Sequence, residues 1–163
     1  MNHPSLCTHT NRMVSFVSLH SISTLVGLRF GPTHRHTQTQ TQTKRISTGF
    51  DWLARLSKRG EKFDMVILDP PSSSVGKKKK RWSVKSDMAE LVALAAPLVK
   101  KGGLLWTTTN NAGLHPIKFA TMCKKGLENA GLPGAKLERV VPMPVDFPSV
   151  GISPVKNLVW RIP

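Results

Sequence analysis

Asp69-Pro70-Pro71-Ser72 is the stretch of this 163-residue chain whose residue types and order are best placed for chemistry. Asp69 brings a carboxylate, an acceptor-only group when ionised. Directly before it runs Met65-Val-Ile-Leu68, four apolar residues in succession. A run this short, ended by Pro70, predicts a strand buried on both faces of a parallel sheet. Neither proline can donate a ladder hydrogen bond, so pairing stops there and Asp69 is left at the strand's carboxyl end. Open α/β sheets place their ligands at that end. The plainer reading is a buried strand followed by a proline-stiffened turn, and the rest of the chain has to decide between them.

Two neighbouring segments bear on that decision. Ser73-Ser-Val-Gly76 leads into five consecutive cations, Lys77, Lys78, Lys79, Lys80 and Arg81, and then Trp82. A charge run is ordinarily a solvated loop. This one leaves the strand beside Asp69, where cations can grip phosphates and the Trp82 ring can stack on a base. Position, more than charge, favours nucleic-acid contact. Asn110-Asn111-Ala-Gly113 forms a second loop, level with the first, after the apolar and β-branched run Leu104–Thr109.

The elements that position these loops can be traced by period. Phe50, Leu53, Ala54 and Leu56 predict a helix over 50–58, with Gly60 as its stop. Asp87 and Glu90 have capping-box spacing, and Met88, Leu91, Val92, Ala95, Leu98 and Val99 follow as one apolar stripe. Pro97 should shorten that helix, and Lys100-Lys-Gly-Gly103 should close it. Pro116 opens another helix with Ile117, Ala120, Cys123, Leu127 and Ala130 on its inner face. Cys123 on that stripe reads as a small core residue. Strands over 136–141 and 155–162 end the chain. The alternation predicts an α/β fold, a parallel sheet closing in a long hairpin.

Composition sets the outer bounds. The formal charge is +15, with a pI of about 10.6, and such a balance favours a polyanionic partner such as RNA. Only three of the 24 basic residues precede Lys44, and all nine acids follow it. No apolar run approaches the roughly 20 residues that cross a bilayer, so a soluble chain without membrane association is expected. Cys7 and Cys123 are too few for a disulfide framework or a metal site.

Residues 1–43 are rich in Ser, Thr, His and Gln, and the alternating Thr-Gln tract up to Thr43 predicts a disordered, low-complexity leader. Two sources suit it equally: an organelle transit peptide, or a simple-sequence repeat read as protein. Location follows the first choice, cytoplasmic or organellar. His3, His9, His20, His34 and His36 lack any spacing that supports metal binding.

Arg59-Gly-Glu-Lys-Phe-Asp-Met-Val-Ile-Leu-Asp-Pro-Pro-Ser72, then Lys101-Gly-Gly-Leu-Leu105, then Gly151-Ile-Ser-Pro154 ahead of 158–162, resemble the Rossmann-like methyltransferases that use S-adenosylmethionine. The similarity is strongest to the bacterial large-subunit ribosomal RNA cytosine methyltransferases that carry a PUA domain. It covers residues 44–163, the second half of such a catalytic domain. The fold it implies is an incomplete Rossmann-like sheet ending in an antiparallel hairpin. It implies that Asp69, Pro70, Pro71 and Ser72 stand beside the methyl donor and the target base. Leu68, Asp69 and Pro70 would touch the cofactor, and Thr107 to Asn111 would line the opposite wall. Asp69 and the carbonyls around the prolines would accept from an amine or orient a base splayed out of folded RNA.

The sequence departs from that family in three places. No strand followed by a glycine-rich turn precedes Asp64, Ser47 and Thr48 stand where an acid is expected, and Asn110 stands where relatives carry a cysteine. Carbon-5 chemistry needs a thiolate, so the target atom stays open. The expectation is an RNA methyltransferase fragment of weak or no activity. Its rivals are a non-catalytic RNA-binding fragment and an amino-group methyltransferase on adenine or guanine. The strand Met65–Leu68 should also keep one edge unpaired, open to self-association, because the leader looks unable to fill it.

Overall fold

The computed structural model of the chain describes residues 15–21, 24–29, 49–75, 81–147 and 151–163. In chain order the elements are β1 (Ser15–Ser21), β2 (Thr24–Arg29), α1 (Gly49–Lys58), β3 (Phe63–Leu68), β4 (Ser73–Val75) and β5 (Arg81–Ser83). Then come α2 (Val84–Ala95), a 3₁₀ turn (Ala96–Leu98), β6 (Val99–Thr109), α3 (Pro116–Asn129), β7 (Lys136–Val140) and β8 (Lys156–Arg161). Six strands make one sheet in the order β2-β1-β3-β6-β8-β7, while β4 and β5 form a separate hairpin. β1, β3 and β6 are parallel, and β6, β8 and β7 are joined antiparallel. The expected α/β sheet with a terminal hairpin is present.

The leader does supply a neighbour for β3, contrary to expectation. β1 pairs with it in parallel from Phe16 opposite Met65 to Leu19 opposite Leu68, and β2 continues the sheet outward. Strand pairing here needs only an extended backbone in register, which the interrupted pattern over 13–30 concealed. The edges of this sheet are therefore β2 and β7. The Thr-Gln tract and His3, His9, His34 and His36 lie outside the described residues.

Register fixes the two faces. Val66, Leu105 and Trp160 lie abreast, as do Leu68, Thr107 and Leu158. These residues share the core with Leu53 and Leu56 of α1, Met88 and Val92 of α2, and Phe119 and Cys123 of α3. Met65 and Ile67, on the other face, are only partly covered. The strand predicted to be buried on both faces is thus fully buried on one, the face that receives the helices.

Two helix boundaries differ from expectation. Ser83 caps α2 by accepting from Lys85 N–H, while the Asp87 carboxylate reaches back to Ser83 N–H at 2.7 Å. Asp87, four residues beyond the cap, therefore supports the cap from the first turn and is not the cap itself. Pro97 does end the helix, in the 3₁₀ turn, but residues 100–103 lie within β6. They bulge out opposite Asp64, between the pairs Phe63–Val99 and Met65–Leu104. Gly102 takes a φ of 74° in that bulge, and a Cβ on Gly103 would sit 2.8 Å from the Asp64 carbonyl. Only glycine fits there. On α3 the buried stripe is Phe119, Cys123, Gly126 and Leu127, and Ile117 points outward, 71 % exposed. No described helix is long and apolar enough to cross a membrane.

Candidate active site at the strand carboxyl ends

β3 and β6 run parallel, so both loops that follow them emerge at the same end of the sheet. Leu68 is fully buried and anchors the strand end. Pro70 is buried behind it, and Asp69, Pro71 and Ser72 are half-buried. Ser72 is held twice. Its carbonyl accepts from Val84 N–H at 3.1 Å, and its hydroxyl donates to Asn110 Oδ1 at 2.7 Å. The two corners singled out in the sequence therefore meet. Asp69 is different: its carboxylate engages no partner among the described residues. It is an acceptor held half-buried at the strand end.

The second wall is built by a tight turn. Asn111 N–H donates to Thr109 Oγ1 at 3.3 Å, and the Asn111 carbonyl accepts from Leu114 N–H at 3.1 Å. The same carbonyl also accepts from Lys156 Nζ at 2.8 Å. Lys156 is 5 % exposed and gives a second proton to the Pro154 carbonyl at 3.0 Å. Burial lowers its pKa below that of a free lysine. The amine's two carbonyl acceptors meet part of the need its lost water leaves.

Thr107 and Thr109 do not line this wall as the resemblance implied. Both are fully buried, and Thr107 Oγ1 accepts from Trp160 Nε1 at 3.2 Å and from Cys123 Sγ at 3.5 Å. Its own proton points to the Leu158 carbonyl at 3.4 Å. The wall proper is Asn110 and Asn111. Burial also pushes the Cys123 thiol up to about 12, so it is a neutral core group as expected.

The basic loop begins from a defined base. β4 and β5 pair from Ser73–Ser83 to Val75–Arg81, so the chain leaves and returns beside Ser72. Lys77, Lys78, Lys79 and Lys80 lie outside the described residues, and Arg81 is exposed. Trp82 corrects the expectation of a stacking platform: it is 7 % exposed and belongs to the core. Alternation in the three-residue strand turns its ring inward while Arg81 faces out.

Two residues escaped the sequence reading. Lys85 lies on the first turn of α2, with Nζ 3.8 Å from where a Cβ on Gly113 would be, and so brings a cation to the asparagine turn. Lys156 carried a usable signal. It shares the inward parity of Leu158 and Trp160, and a lysine at an inward strand position calls for acceptors. Beyond it lies a groove of about 370 Å³ between the start of α3 and the β7–β8 connection, lined mainly by apolar groups.

No family model matches the chain, and no curated protein matches it. Among solved structures it is similar to SMU.776, a proposed methyltransferase in complex with SAH, with a TM-score of 0.61 and 23 % identity over 69 % of this chain and 30 % of that one. It is also similar to a proposed SAM-dependent methyltransferase from Streptococcus mutans, with a TM-score of 0.58 and 22 % identity over 70 % and 29 % of the two chains. The chain thus spans less than a third of the length of either neighbour, and over that span it shares their fold.

Proposed function

We propose that the chain carries the target-base side of an S-adenosylmethionine-dependent methyltransferase domain acting on RNA. The observation that carries this reading is the hydrogen bond from Ser72 to Asn110, which joins two strand-end loops around the half-buried carboxylate of Asp69. The site's acceptor chemistry fits the cofactor. A sulfonium and an ammonium are both cations, and Asp69 is an anionic acceptor at the ligand-binding end of the sheet. Leu68 and Pro70, expected to touch the cofactor, are instead buried beneath Asp69 and serve to hold it in place.

When bound, S-adenosylmethionine supplies an electrophilic methyl group, whose transfer to a nucleophile leaves S-adenosylhomocysteine. The protein's contribution is positioning. Asp69 would accept an N–H of a splayed base and orient its nucleophilic atom, and the one proton lost from that nitrogen on methylation would pass to the solvent. Ser72 and Asn110 would close the opposing side, and Lys85 and Arg81 would attract the phosphates. Within this reading an exocyclic amino group is favoured over carbon 5 as target. The carbon route needs a thiolate, and the one cysteine among the described residues, Cys123, is buried with its thiol held at about 12. Ribosomal RNA remains the substrate that the sequence resemblance suggests.

Calorimetric titration with S-adenosylmethionine tests the cofactor, and methyl transfer to total RNA with base-specific product analysis tests the rest. Saturable binding weakened about tenfold by Asp69→Asn, about 1.4 kcal/mol, is expected. Folded protein that binds RNA but not the cofactor would leave the non-catalytic RNA-binding reading in its place.

A further inference from the structure

The groove beyond Lys156 has no part in the chemistry just described, yet it adjoins it. Lys156 forms part of its wall while its amine holds Asn111, and Asn110 in turn holds Ser72. β8 starts at the end of the sheet where β3 finishes and lies two strands from it, so the Lys156 wall of the groove stands at the same end of the sheet as Asp69. Its rim is unusually bare. Val140 is 60 % exposed and Phe147 61 %, with Pro116 and Met143 completing an apolar slot. No acidic residue lines it. Asn157 adds a polar group whose amide nitrogen donates to the Val141 carbonyl at 3.4 Å.

We infer that this groove receives an unpaired RNA base that flanks the base presented to Asp69, with Phe147 as its stacking face. The inference rests on the RNA reading above and adds a subsite to it. An aromatic ring, a proline and a methionine around a slot suit a planar ring, and such stacking tolerates any base. Charge argues for the same occupant. The chain carries 24 basic residues against nine acids. An apolar peptide or a second copy of the chain would gain nothing from that excess.

The full-length chain should be titrated, by fluorescence anisotropy over a salt series, with oligouridylate and with an abasic oligoribonucleotide of equal length. Phosphate contacts set the salt slope, whereas stacking shifts affinity at every salt concentration. The base-bearing oligomer is expected to bind about tenfold tighter than the abasic one. Phe147→Ala should abolish that difference without changing the slope, and Phe147→Trp should restore it. Because Phe147 is largely exposed, the alanine variant keeps the core intact, which a thermal melt verifies. Equal binding of both oligomers, an unaffected Phe147→Ala variant, or no RNA binding by folded wild type overturns the subsite. Loss of a dimer on sedimentation of Phe147→Ala would reassign the groove to a second copy. Cofactor titration of the wild type is a separate readout, so failure of the methyltransferase reading stays distinguishable from failure of the groove.

Discussion

At the residue scale, two buried titratable groups respond to pH in opposite senses. Cys123 has its pKa raised from 9.0 to about 12, so the folded state keeps a proton that the unfolded state loses. Its contribution is complete below pH 9.0 and is lost as pH rises towards 12, because there the unfolded chain binds fewer protons. Lys156 has its pKa lowered below 10.5, so its contribution improves as pH rises towards that value. Urea denaturation above pH 9.0 should therefore show a shallower alkaline loss in Cys123→Ala than in wild type, whatever the variant's absolute stability. Lys156→Met keeps the stem but removes both donors to Asn111 and Pro154. It is expected to lose about 1–3 kcal/mol and to speed amide exchange across residues 110–114, leaving exchange in β3 unchanged. Unchanged exchange in the turn would show that the amine does not hold it.

At the element scale, the contact between α2 and α3 depends on Gly126. A Cβ there would lie 2.5 Å from the Ala89 carbonyl and 2.7 Å from Val92 Cβ, against backbone that cannot move alone. Gly126→Ala gains helix propensity of about 1 kcal/mol, but overpacking of this kind typically loses about 1–3 kcal/mol. A net fall in the urea midpoint at constant m-value is the expected result. This glycine shows why α3 was only partly legible. Its limits and Cys123 follow from Pro116, Gly131 and spacing, but spacing alone runs the stripe through Ile117 when Phe119 is the residue turned inward. Large apolar residues fell on two candidate faces, and only the close approach of α2 at Gly126 selects one. The site was legible to a similar depth. The Asp-Pro-Pro-Ser and Asn-Asn corners could be found because prolines and a strand end mark them. Their joining through Ser72 and Asn110, and the cations Lys85 and Lys156 beside them, depend on contacts between distant parts of the chain.

At the scale of the molecule, the order of the sheet decides whether β3 is a central or an edge strand. β3, β8 and the second half of β6 were readable because each is a continuous apolar or alternating run. β1 was not, since Ser and His break its pattern and its place comes from backbone pairing. That pairing is directly testable at Val17, which lies opposite Gly27 of β2 and Val66 of β3. Proline cannot serve a strand with neighbours on both sides, because it removes a ladder donor and fixes φ. Val17→Pro is therefore expected to release β1 and uncover the edge of β3 at Met65–Leu68. An exposed apolar edge is a template for another chain, so the variant should self-associate on sedimentation while wild type does not. A monomeric variant with unchanged amide protection in β3 would mean that β1 does not guard that edge, and that the parallel pair β3–β6 is stable without it.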